Sequence, residues 1–252
     1  MADFIPPTLA SETIFHIGSF QVRNTLIASL LTVLVLLIVG IVLNRKKYAL
    51  VPGGFQNLVE SLIGGMFSFF VGVVGDEKRT RKFFPLVTTI FFYVIISNWS
   101  GLLPGFGSIG IWEMHEGHEV LVPLLRSTYA DVNMTFALAA ISVVACQIFG
   151  FALLGFKGYG GKFFINPFKN PIGSFVGILE LMSEFSKMIS FTFRLFGNIF
   201  AGEVLLLVIT FLVPYIAPMP FYGLEIFVGF IQALVFAFLT LVFLKIATTA
   251  HH

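Results

Sequence analysis

The chain has 252 residues, 57% of them hydrophobic and only 11% charged. Soluble domains carry about 25% charged residues, and this much apolar side chain cannot be hidden in one soluble core without large exposed patches. The net charge of +2 points to no nucleic acid and no acidic partner.

The class that remains is an all-α integral membrane protein, because about 20 apolar residues of helix cross the hydrocarbon layer. A single cysteine, Cys146, lies inside an apolar run. It excludes an internal disulfide and a thiolate zinc centre, and it reads as a small buried hydrophobe.

The opening residues, MADFIPPTLASE, have neither a basic segment nor a short apolar core. They read as an outer polar tail, 1–24, and not as a cleaved signal. An interfacial segment is expected around Phe15 to Val22. The first spanning helix, 25–44, ends on Arg45, Lys46 and Lys47. The positive-inside rule places that basic end in the cytoplasm and the N-terminus outside.

The next stretch, 53–75, lies between that cluster and a second one, Lys78, Arg79, Arg81 and Lys82. Both of its ends prefer the inner side. Asn57, Glu60, Ser61, Gly64, Ser68 and Gly72 recur near helical spacing, so an interfacial amphipathic helix or shallow hairpin is expected.

A spanning helix follows at 83–103, then an outer loop, 104–130, with Glu113, Glu116, Glu119 and the lone basic Arg126. Asp131 reads as the N-cap of a helix, 131–156, that returns inside. The loop 157–171 carries Lys157, Lys162 and Lys169, again inner. Three basic residues fall outside this pattern: Lys187, Arg194 and Lys245, within or at the ends of apolar helices.

The stretch 172–213 contains no proline. As one helix it would be about 63 Å long, roughly twice the ~30 Å hydrocarbon core, so it must break or tilt steeply. Pro214, Pro218 and Pro220 mark an outer turn before a last long helix, 220–248. The expected total is about five crossings and one interfacial helix.

Ionisable residues inside a membrane helix cost about 2.5–3.5 kcal/mol each at its centre, which makes them functional candidates. The long helix holds Glu180, Glu184, Lys187, Arg194 and Glu203. At helical spacing Glu180, Glu184, Lys187, Ser190, Arg194, Asn198 and Gly202 fall within an arc of about 120°. Glu203 lies on nearly the opposite face. Glu225 and Gln232 share a face of the last helix, and Glu225 is expected to meet Glu203 across the hairpin.

A leak-free ion motor needs two offset half-channels, because a continuous pore would dissipate the gradient. A fixed charge between them must stay protonated when desolvated, which suits arginine better than lysine. On the inner side Glu180, Glu184 and Lys187 read either as a local salt-bridge set or as lining of the inner half-channel. His115, Glu116, His118 and Glu119 have the wrong spacing for a His-Glu-x-x-His zinc site, and a solvated outer loop is expected there. His251 and His252 read as a tail. A secondary transporter with a midplane Arg/Glu site is the alternative, but no inverted repeat is visible.

The stretch Ser190-Phe-Thr-Phe-Arg194-Leu-Phe-Gly-Asn198-Ile-Phe-Ala-Gly-Glu203 closely resembles the signature of subunit a of the F-type ATP synthase. So do Ser97-Asn-Trp-Ser-Gly-Leu-Leu-Pro104, Ala130-Asp-Val-Asn-Met-Thr135 and Gln232-Ala-Leu-Val-Phe236, in order along essentially the whole chain.

The resemblance implies a non-catalytic stator subunit, without cofactor, that carries H⁺ or Na⁺ to and from a carboxylate of the c-ring. It implies partnership with the c-ring, the subunit b stalk and the rest of the synthase in a bacterial plasma membrane, with a plastid thylakoid as the other setting. Arg194 matches the family's essential arginine. Asn198, Glu203 and Gln232 match positions near the half-channels, and Ser190 a position one turn before the arginine. Glu225 stands where some members have histidine. Two long tilted hairpin helices against the ring are also implied.

Overall fold

The computed structural model describes residues 11–45, 53–107, 109–115, 118–163 and 171–249. Six helices dominate: α1 (Asn24–Arg45), α2 (Gly54–Val74), α3 (Glu77–Ser100), α4 (Val132–Phe163), α5 (Pro171–Leu212) and α6 (Pro218–Ala247). All six are long and apolar enough to cross a membrane. The protein is thus all-α, with only small antiparallel hairpins beside the helices.

The first hairpin lies where an interfacial segment is expected: Thr13–Ile17 (β1) pairs with Phe20–Arg23 (β2) across a turn at Gly18, whose φ is +63°. The second corrects an expectation, because the segment 104–130 is not bare loop. After the short strand Pro104–Gly107 (β3), Gly110–His115 (β4) pairs with His118–Pro123 (β5), setting His115 opposite His118. A single 3₁₀ turn, Thr128–Ala130, leads into α4.

Helix ends follow local chemistry. Gly75, at φ +80°, closes α2 with its N–H on the Val71 carbonyl, a left-handed stop that glycine takes without a Cβ penalty. Asp76 then caps α3 by accepting from the N–H groups of Lys78 and Arg79. The cap starts α3 six residues earlier than hydropathy implied, so the second basic cluster forms its first turns. Asp131 caps α4 as expected, accepting from Asn133 N at 2.8 Å.

A further difference lies at the end of α4. The expected inner loop from 157 is helical up to Phe163, beyond a sharp kink at Gly155, where φ is +73°. The kink turns Tyr159 back onto α4 itself, with its ring 4.8 Å from that of Phe151. Gly150 permits this, because a Cβ there would lie 2.5 Å from the Tyr159 ring. Lys169 lies outside the described residues.

The core forms where α3 packs on α6 and α4 on α5. Phe83, Val87 and Val94 of α3 meet Phe236, Leu241 and Leu244 of α6, with Leu195 of α5, all essentially inaccessible. Lipid is as apolar as leucine, so helices in it associate through close packing and hydrogen bonds. Ser142 and Thr240 bond at 2.8 Å between α4 and α6, and Asn98 Nδ2 donates to the Gly229 carbonyl at 3.0 Å. By contrast α1 presents most of its surface outward, Leu37 being 57% exposed. Such a surface is at home only in hydrocarbon.

Candidate functional site

Polar side chains form three levels along α5. At the end near the α4 kink, Lys187 donates to Glu184, which also accepts from Gln147 Nε2 at 2.9 Å. Tyr159 completes the set by donating to Gln147 Oε1 at 2.7 Å. The Lys187 ammonium also sits 4.8 Å from the Phe243 ring centroid. A cavity of about 330 Å³ lies beside this set, lined by Val143, Gln147, Phe151, Leu181, Glu184 and Met188. Glu180 is half-buried one turn away. Sequence reasoning missed Gln147 and Tyr159, since nothing before the kink was visible shows that residue 159 returns to residue 147.

The middle level holds Arg194. Its side chain is exposed, with Nη2 3.4 Å from Ser190 Oγ, and it makes no ion pair among the described residues. Around it the face of α5 is bare: Ile189 is 54% and Phe193 59% exposed. One turn on, Asn198 Nδ2 donates to Gln232 Oε1 at 3.3 Å, joining α5 to α6. Gln232 Nε2 and Asn98 Oδ1 are buried without a hydrogen-bond partner among the described residues. The polar stripe therefore straddles an edge. Asn198 and Gly202 turn toward α6, while Ser190 and Arg194 face outward.

The other two unexplained cations are accounted for. Lys187 is paired, and Lys245 donates to the Val73 carbonyl at 2.8 Å, closing the end of α2. Arg79 and Lys162 likewise donate to the Thr248 and Thr249 carbonyls beyond α6, where the helix dipole favours positive charge. Arg194 is left without such a role.

At the third level are Glu203, Glu225 and an unexpected third member, Arg126. Arg126, 6% exposed, grips both oxygens of Glu203: Nε to Oε1 and Nη2 to Oε2, each at 3.1 Å. Glu225, 7% exposed, presses its carboxyl on the backbone of Gly202, so tightly that a Cβ there would overlap it. It makes no hydrogen bond or ion pair among the described residues. Across α6, Trp99 Nε1 donates to the Ile226 carbonyl at 3.0 Å.

Nearby, Asp131 is almost inaccessible and gathers Ser11, Thr25 and Asn133, with Arg23 at 3.6 Å. Burial alone would raise its carboxyl, but the donated hydrogen bonds prevail and hold it below the usual value of 3.8. Among the described residues no group of three His, Cys, Asp or Glu is arranged to hold a metal. Glu116, His251 and His252 lie outside the described residues.

Residues 26–245 match the family described as ATP synthase A chain. A protein of Campylobacter jejuni subsp. doylei named "ATP synthase subunit a" is 36% identical over 234 residues, spanning 93% of this chain and 88% of that one. A protein of the same name from Moorella thermoacetica is 29% identical over 232 residues, 92% and 93% of the two chains. Another, from Campylobacter curvus, is 35% identical over 202 residues, 80% of each.

Proposed function

The chain belongs to the ATP synthase A chain family, and on that premise we propose that it is the ion-conducting stator subunit of the membrane sector. It offers two half-channels, offset from one another, that deliver protons to a carboxylate of the c-ring and take them away on the other side. It is non-catalytic, works only within the complex and is held against the ring with the subunit b stalk. It sits in a bacterial inner membrane, N-terminus outside and C-terminus in the cytoplasm. α5 is about 63 Å long, and a steep tilt fits it to the bilayer.

The observation that carries this reading is Arg194, an exposed guanidinium without an ion pair on a bare apolar face. A charge there is costly in hydrocarbon and calls for an anion that the described residues do not offer. A carboxylate on a partner that slides past α5 fits. Arginine keeps its proton when desolvated, so it makes the partner carboxylate release its ion and blocks hopping between the half-channels.

On this reading Glu203, Glu225, Asn198 and Gln232 line the outer half-channel and its path inward, with Ser190 beside the arginine. Glu180, Glu184 and Lys187 border the inner one, and their mutual pairing also serves the packing of α4 on α5.

The test is ATP-driven acidification of inverted vesicles holding the whole complex, with Arg194 intact and as Arg194→Ala, with and without sodium. Loss of pumping in an assembled complex supports the barrier role, and a sodium response names Na⁺ as the ion. Pumping that survives the substitution makes the arginine structural and favours a transporter with its own midplane site.

A further inference from the structure

The outer level contains two carboxylates and one buried guanidinium, and the three are not equivalent. Arg126 comes from the connector before α4, 77 positions from Glu203 in sequence. It meets both carboxylate oxygens side-on, the geometry in which arginine binds a carboxylate best. The guanidinium of this pair is buried and the carboxylate partly so, which makes the pair costly to break. Glu225 has no such partner. The Gly202 backbone of α5 lies against it, and from α3 the uncharged Trp99 and Asn98 bond to the α6 carbonyls of Ile226 and Gly229.

We propose that Arg126 is a positioning residue that holds the Glu203 carboxylate in a fixed side-on ion pair, so that Glu225 is the carboxyl that passes the proton in the outer half-channel. This rests on the outer half-channel reading above. Glu203 then supplies fixed negative charge beside the path, and Arg126 balances it so that protons are attracted without being trapped.

The experiment uses the whole complex in inverted vesicles, with assembly checked for each variant. Arg126→Gln alone and Glu203→Gln alone are each expected to lower ATP-driven pumping at least about tenfold, since each breaks the side-on pair. Arg126→Lys, which keeps the charge, retains more than Arg126→Gln. The double variant Arg126→Gln/Glu203→Gln is expected to recover most of the loss, because no carboxyl at 203 is needed to carry a proton. Glu225→Gln abolishes pumping.

A dead double variant beside a dead Glu225→Gln overturns the proposal and leaves the half-channel reading in place. A Glu225→Gln that pumps like the parent overturns both. A second measurement needs no variant. A lipophilic carbodiimide adds to protonated carboxyls, and peptide mapping of the treated parent complex should find the adduct on Glu225 and not on Glu203. An adduct on Glu203 overturns the proposal.

Discussion

Two arginines stand in this protein under opposite conditions. Arg126 is buried and bound side-on by Glu203 within the same chain. Arg194 is exposed on apolar helix surface, with only a serine hydroxyl at 3.4 Å. The desolvation of a guanidinium has to be compensated somewhere. For Arg126 the compensation is internal and fixed, which makes it part of the architecture. For Arg194 no such anion stands among the described residues; in the proposed function a partner supplies it, and a contact supplied from outside can come and go. On that reading the difference separates a charge that holds structure from one that does work on a partner.

The largest way to break the contrast is Arg194→Ala. It should lower ATP-driven pumping at least about a hundredfold, matching the ~3 kcal/mol scale of an intramembrane charge, while the complex still assembles. Next is Gly202→Ala, which forces a methyl into the space of the Glu225 carboxyl. Overpacking of this kind costs about 1–3 kcal/mol, and proton conduction and thermal stability should fall together. If conduction falls and stability does not, the Glu225 carboxyl has been displaced without loosening the helix pair.

Ser190→Asp would turn Arg194 into a second Arg126 by giving it a carboxylate one turn away. Pumping should drop about tenfold, or ~1.4 kcal/mol, with stability unchanged or improved. Normal pumping in that variant would mean that Arg194 needs no anion from outside.

The smallest effect concerns the outer end. The Asp131 carboxyl is held below its usual 3.8, so its contribution is complete at any pH above that value. It drains away only as acidification passes through the lower folded value. Asp131→Asn should cost about 2 kcal/mol in thermal unfolding of the complex at neutral pH, and the gap to the parent should close only below about pH 4.

The helices were readable in the sequence because apolar runs of membrane length have few other interpretations, and the Arg194 stripe because helical spacing alone collects it. The approach of Glu225 to this part of α5, at Gly202, followed from counting outward from the proline turn. What could not be read was whatever depended on a reversal of direction. Gly155 at positive φ folds Tyr159 onto Gln147, and nothing about a glycine in a glycine-containing apolar run announces that. Arg126 looked like the odd cation of an acidic loop, because pairing across 77 positions leaves no periodic trace. The β4–β5 hairpin was hidden for a related reason. Its residues alternate too briefly to stand out beside long helices.

The bare face of α5 has one more consequence. Apart from Arg194 and the small hydroxyls of Ser183, Ser186 and Ser190, its outward side chains around the middle are hydrocarbon and sulfur: Met182, Phe185, Ile189 and Phe193. Dispersion contacts of such groups are non-directional and worth only ~0.1–0.2 kcal/mol per atom pair. A neighbour gliding along them trades each contact for an equivalent one and breaks no hydrogen bond on the way. In the proposed stator role, this surface is a bearing for the turning ring with a single detent, and the detent is the arginine.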